Sequence, residues 1–251
     1  MPVNRTNLAS GKYFEELNEF NAEYLVYAAG QKNIAFCEKN KKEALDANFD
    51  FLIKLINAFP SIKIVYLSTD YVFSGNSGNY TITSKVDPIT FYGQSKCIAE
   101  NYLLSNKSDF STILRTAAVF NMQSLFVKNI FWHHDQKKPL DICDDSFFSP
   151  TPLNLLLNFI EFLLDHFFIG IHHLCGKKHS RFSFAENVSD IFNLNLDYNV
   201  VPRDSINKFL MPDLSMRNSF IDEKWKNFLP KDLYQLNFVN AHENFTLGDF
   251  K

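Results

Sequence analysis

The sequence is short of glycine and of paired cysteine, and each shortage excludes something. Its eight glycines among 251 residues nowhere form the G-x-x-G-x-x-G spacing by which a strand-to-helix turn lays bare amides around a dinucleotide pyrophosphate. The four cysteines, Cys37, Cys97, Cys143 and Cys175, stand far apart with no C-x-x-C pair. That excludes a disulfide framework and points to buried thiols in a reducing compartment, the cytoplasm by default. Neither sign of charge dominates: 25 basic and 28 acidic residues leave a net charge of -3, so nucleic acid is not an expected partner. Long apolar runs are missing too. The greasiest stretch, Leu153 to Leu164, is broken by Asn154, Asn158 and Glu161, and Met1 to Ser10 has no apolar centre, so no membrane span and no signal peptide are expected. What is present is 46% apolar content, ample for one larger domain or two small ones.

Hydrophobic periodicity orders the chain. Glu23 to Ala29 is a short apolar run ending at Gly30, and Ala44, Leu45, Asn48, Leu52, Leu55, Ile56 and Phe59 then recur at helical spacing until Pro60. Ile62 to Leu67 is β-branched with almost no polar alternation, as befits a strand covered on both faces. A helix is expected from near Asp87-Pro88 through Tyr92 to about Leu104, and a strand over Thr112 to Phe120. Leu125 to His133 and Leu153 to Phe168 read as helices, and Gly170 to Cys175 as a strand. Ser183 to Glu186 has capping-box spacing, opening a helix to about Leu194. Pro202, Pro212 and Pro230 punctuate an irregular end. The strand and helix alternation implies an α/β fold with a doubly wound parallel sheet.

Tyr92 and Lys96, in YGQSK, share one face of the expected helix and can reach a single bound molecule. An ammonium beside a phenol favours the phenolate and draws its pKa from ~10 toward neutrality. Taken alone, the pair reads sooner as a solvated Lys beside a half-buried Tyr than as a site. Ser68-Thr69-Asp70-Tyr71-Val72-Phe73 follows the apolar strand directly, at the carboxyl end where open α/β sheets bind ligands. Thr69 could instead satisfy a backbone group, and Asp70 could cap a turn. His172, Cys175 and His179 match no zinc spacing and read as structural, and His133-His134 suit the negative end of a helix.

Ser68 to Gly75 together with Tyr92 to Lys96 resembles the extended short-chain dehydrogenases/reductases, most closely their dTDP-4-dehydrorhamnose reductase branch, which carries S-T-D-Y-V-F-x-G followed by Y-G-x-S-K. Ala28-Ala29-Gly30, Leu114-Arg115-Thr116, Phe148-Ser149-Pro150-Thr151 and Gly170 to Leu174 extend the likeness, in order, over roughly residues 20 to 220. The resemblance implies a cytoplasmic NADPH- or NADH-dependent reductase of a nucleotide-linked 4-keto-deoxysugar, serving surface polysaccharide synthesis. It implies Tyr92 as proton donor, Lys96 as the group that lowers the Tyr92 pKa and binds the nicotinamide ribose, and Thr69 as donor to the carbonyl oxygen. Ala28, Ala29, Gly30 and Ser68 would join Tyr92 and Lys96 around NADP or NAD, and Asp70, Tyr71 and Thr116 would face the sugar. A homodimer is among its implications, since paired helices beside the Tyr build dimers in this family.

Against the family pattern, a βαβ opening of on the order of thirty residues is expected to be absent. Asn7 to Ala29 already resembles the lead-in to the cofactor-side strand. The implied fold is thus an N-terminally truncated Rossmann-like sheet over 1–135, with a smaller, mainly substrate-binding region over 136–251 that returns some elements to the sheet. Three accounts stay open: a misassigned start, a decayed gene, or a non-catalytic sugar-nucleotide-binding or regulatory protein akin to the subunit that accompanies methionine adenosyltransferase. Ala118 stands where these reductases carry Trp, and Met211 stands where Arg precedes Pro.

Overall fold

The computed structural model describes residues 22–220 and residue 229. Its centre is a four-stranded, wholly parallel sheet in the order β1 (Tyr24–Tyr27), β2 (Lys63–Thr69), β3 (Ser111–Thr116), β5 (Gly170–His173). Tyr27 lies opposite Tyr66, Leu67 opposite Leu114, and Leu114 opposite His172. The lead-in from Asn7 to residue 21 and the break at Pro230 fall outside the described residues.

The missing polar alternation in β2 follows from burial on both faces. Ile64, Tyr66 and Ile113 point to one side, where Leu52, Leu55 and Ile56 of α3 (Phe51–Ala58) and Ala99 and Leu103 of α4 (Phe91–Asn106) cover them. Val65 and Leu114 point to the other, against Leu155, Leu156, Phe159 and Leu163 of α6 (Leu153–Asp165). Each such side chain, fully buried, contributes roughly 1.5–3 kcal/mol of transfer free energy, so helices on both faces hold the sheet as a doubly wound layer. A separate apolar cluster joins Val127 and Ile130 of α5 (Leu125–Gln136), Leu140 and Ile142 of β4 (Leu140–Ile142), and Phe184 and Val188 of α7 (Arg181–Phe192).

Several boundaries move from those the sequence suggests. The long helix before Pro60 is built from α2 (Lys41–Leu45), a π-helical turn over Asp46–Asp50, and α3. A short helix, α1 (Ile34–Lys39), precedes it, capped by the Asn33 side chain on the Phe36 amide. Helix α4 begins at Phe91 rather than near Asp87, because the Thr90 hydroxyl accepts from the Gly93 amide and sets the first turn. The strand expected to run to Phe120 stops at Thr116 and resumes over Val119–Phe120. The capping box of α7 lies one turn earlier than its sequence spacing suggests: Ser180 is the cap, its hydroxyl accepting from the Ser183 amide at 3.0 Å while Ser183 returns the contact to the Ser180 amide. All four cysteines are buried thiols outside any disulfide. Among the described residues no helix is long and apolar enough to cross a membrane.

Candidate active site

Parallel strands deliver their carboxyl ends to one edge of the sheet, and the chain leaving each end forms the wall of a cavity of about 420 Å³. Ala28, Ala29 and Gly30 after β1 make one side. Ser68, Thr69, Asp70 and Tyr71 at the end of β2 make the floor. Thr116, Ala117, Ala118 and Val119 after β3 make the far side, and Tyr92 and Lys96 of α4 lie across it. All the site residues expected from the sequence therefore line one cavity, although they come from four separate segments.

The approach of α4 to the β2 end depends on Gly93. A methyl group there would lie 2.1 Å from the Tyr71 backbone oxygen, so any other residue would push the helix, and with it Tyr92, off the strand end. Gly30 is constrained differently: its φ of +153° suits glycine, and a Cβ would fall 2.7 Å from Asn48 Oδ1. Asn48, fully buried in the π-helical turn, accepts from the Gln31 amide at 2.6 Å and donates to the Gln31 carbonyl at 3.2 Å and to Ser95 Oγ at 2.8 Å. One amide side chain thus fastens the loop after β1 to the helix carrying Tyr92. In the sequence Asn48 reads only as a helix-face residue, since its partners lie 17 and 47 positions away.

The site's polar groups are largely committed. Thr69 donates to Asp70 Oδ1 at 3.0 Å and accepts from the Tyr71 amide at 3.3 Å, capping the short 3-10 turn Asp70–Val72. Lys96 Nζ donates to the Leu67 carbonyl at 2.6 Å and sits 4.0 Å over the Tyr66 ring. Tyr71 donates from its hydroxyl to the Phe209 carbonyl, and Thr116 from its hydroxyl to the Ser68 carbonyl. Ser68, read from sequence as facing the cofactor, turns its hydroxyl into the core, donating to Glu100 Oε1 at 2.5 Å.

Burial governs the titrations. It raises Asp70 to about 7, against the opposing hydrogen bond from Thr69 and the charge of Arg181. It lowers Lys96 to about 7, which the Glu100 carboxylate partly offsets. It raises Tyr92 well above an ordinary phenol, with the Thr69 contact opposing and the Asp70 charge reinforcing. The expected depression of the Tyr92 pKa by Lys96 is therefore not what the structure shows. Desolvation of the phenol is the largest influence, and the charges of Asp70, Cys37 and Tyr71 add to it.

Beneath the site, Glu100 accepts from Arg115 Nε at 3.0 Å and Nη2 at 2.6 Å, both side chains only 3% exposed. This buried pair ties α4 to β3 and, through Ser68, to the end of β2. One further lining residue, Arg181 at the start of α7, was not among the sequence candidates. Its only signal lay in its place directly after the Ser180 cap, one turn before the capping position read from spacing.

Residues 4–211 match the family model for the RmlD substrate binding domain. The chain belongs to this family. A 115-residue segment is 33% identical to the dTDP-4-keto-6-deoxy-D-glucose reductase of Streptomyces niveus, covering 45% of this chain and 40% of that one. A 191-residue segment is 24% identical to methionine adenosyltransferase 2 subunit beta of Danio rerio, covering 71% and 58%. The dTDP-4-dehydrorhamnose reductase of Bacillus anthracis, solved in complex with NADP, superposes at a TM-score of 0.82 over 95% of this chain and 89% of that one, at 20% identity. That likeness establishes a shared Rossmann-like fold for this RmlD-family chain, which spans about half the length of the curated relatives it matches.

Proposed function

We propose that this RmlD-family chain is a reductase of short-chain dehydrogenase/reductase type, acting in the cytoplasm on a nucleotide-linked 4-keto-deoxysugar destined for surface polysaccharide, with NADP or NAD as cofactor. The observation carrying this reading is the convergence of Thr69, Tyr92 and Lys96 on one cavity at the carboxyl edge of the sheet. The cavity suits the nicotinamide end of the cofactor: Ala28 and Ala29 offer a wall with no side chain beyond a methyl, and Lys96 lines the same cavity. A bound reduced nicotinamide would supply the hydride.

The chain's own residues supply the proton and the orientation. The Tyr92 phenol, held protonated by burial, keeps its proton until negative charge develops on the substrate oxygen and then donates it there. Thr69 turns its hydroxyl from Asp70 to that same oxygen, a donor placed where charge appears. Lys96, fixed by the Leu67 carbonyl, sets a positive field behind the phenol when protonated. Asp70, Tyr71 and Thr116 face the sugar.

A second reading, a non-catalytic sugar-nucleotide-binding or regulatory subunit, is favoured by one observation: none of the eight glycines falls in a phosphate-cradling spacing. Titration of NADPH into the purified chain, followed by cofactor fluorescence, separates the two. Saturation at micromolar levels supports the reductase, and an unchanged signal up to millimolar refutes it. In the reductase, Tyr92→Phe is expected to cut turnover by roughly 10²–10⁴-fold with cofactor affinity intact, and an unaffected rate removes Tyr92 from its role.

A further inference from the structure

Three cations line the cavity: Lys32, Lys96 and Arg181. Lys96 is spent on the Leu67 carbonyl and the Tyr66 ring, and Lys32 stands exposed beyond Gly30. Arg181 differs from both. Its guanidinium lies 4.1 Å over the Phe148 ring and 5.7 Å from that of Phe126, a stacked seat that fixes the plane of the fork. Its Nε is buried without a hydrogen-bond partner, and it forms no ion pair among the described residues. The charge of Asp70 acts on it without closing to an ion pair, and a guanidinium drawn out of water with a buried donor unpaired is costly. Aromatic stacking orients it but offers none of the in-plane acceptors that its donors require.

The backbone of the same turn does not compete for a ligand. The Arg181 amide donates to the Ser146 carbonyl, the Phe182 amide to the Cys143 carbonyl and the Ser183 amide to Ser180 Oγ. The free capacity therefore belongs to the side chain, which lines the cavity together with Asp70 and Val119.

We propose that Arg181 is a specificity-determining residue that takes a pair of anionic oxygens on the sugar-nucleotide substrate, supplied by its diphosphate or by a carboxylate on its sugar ring. The inference rests on the sugar-nucleotide reading above. A planar fork held on an aromatic ring matches a carboxylate or phosphate edge in bidentate fashion, which a neutral hydroxyl cannot equal in strength.

Isothermal titration of the full chain with dTDP, dTDP-glucose, UDP-glucose and UDP-glucuronic acid tests it, comparing wild type with Arg181→Met and Arg181→Lys. Met keeps the apolar contact with Phe148, and matching thermal midpoints verify that each variant is folded. If the diphosphate is the partner, Met weakens all four probes by roughly 10- to 100-fold, the loss expected for hydrogen bonds to a charged group. If a ring carboxylate is the partner, only UDP-glucuronic acid weakens. In either case Lys recovers part of the loss, since it restores charge without the fork. Equal affinities of wild type and Arg181→Met for every probe overturn the assignment of Arg181 while leaving the sugar-nucleotide site standing. No binding of any probe by the wild type overturns both.

Discussion

Replacing Arg115 with Met would strand the Glu100 carboxylate, buried between α4 and the sheet. Both side chains are 3% exposed and joined by contacts of 2.6 and 3.0 Å, and the remaining donor to Glu100 is the Ser68 hydroxyl. Removing one member of such a pair costs about 3–5 kcal/mol, because an uncompensated charge is left in low dielectric. For a chain of this size each kcal/mol lowers the melting midpoint by roughly 2–4 °C, so a fall of about 10 °C is expected. The double variant Glu100→Met/Arg115→Met removes both charges together and is expected to regain at least about 2 kcal/mol, since an apolar pair of similar volume is often neutral to stability. Urea unfolding of wild type, both single variants and the double variant closes the cycle. A double variant whose loss equals the sum of the single losses would show that the two groups do not act as a pair. A loss below about 1 kcal/mol for Arg115→Met would show that the burial argument itself is wrong.

Other consequences follow from the same geometry. With Asp70 raised to about 7, the folded chain holds a proton that the unfolded chain has released above pH ~4. Stability therefore falls as pH rises from ~4 to about 7, and Asp70→Asn should flatten that slope in thermal melts; an unchanged slope refutes the assignment. Lys96, lowered to about 7, is charged below that pH and neutral above it. In the reductase, kcat/KM should decline as pH rises through about 7, and a profile flat to pH 9 argues against a charged Lys96. Asn48→Leu releases both backbone groups of Gln31 and should weaken NADPH binding by about tenfold or more, beyond any change in the melting midpoint, in a fluorescence titration. Wild-type affinity in that variant would show that the clamp does not shape the cofactor side.

The alternation of helix and strand was legible because each periodicity has a local cause. Ile62 to Leu67 is apolar on both faces, and a strand sandwiched between helices needs that pattern. The convergence of Thr69 with Tyr92 and Lys96 was legible through the order of the motifs. What misled were end effects: α4 starts at Phe91 because Thr90 wins the first free amide, and Ser180 rather than Ser183 caps α7, choices made between residues that suit either position equally well. Ser68 lines the cavity, but the direction of its hydroxyl was not legible for another reason. Its hydroxyl faces Glu100, and strand alternation cannot say which neighbour occupies the far side.

By itself, the order of residues determined the parallel α/β architecture and the proximity of a phenol and an amine on one helical face, since both follow from repeat spacing and from chemistry within a turn or two. Only the tertiary structure decided the protonation of those groups, the hold of Asn48 on the loop after β1, and the presence of Arg181 in the cavity wall. Those properties arise from desolvation and from contacts between segments tens of positions apart, and dielectric surroundings and long-range neighbours exist only once the chain has closed on itself.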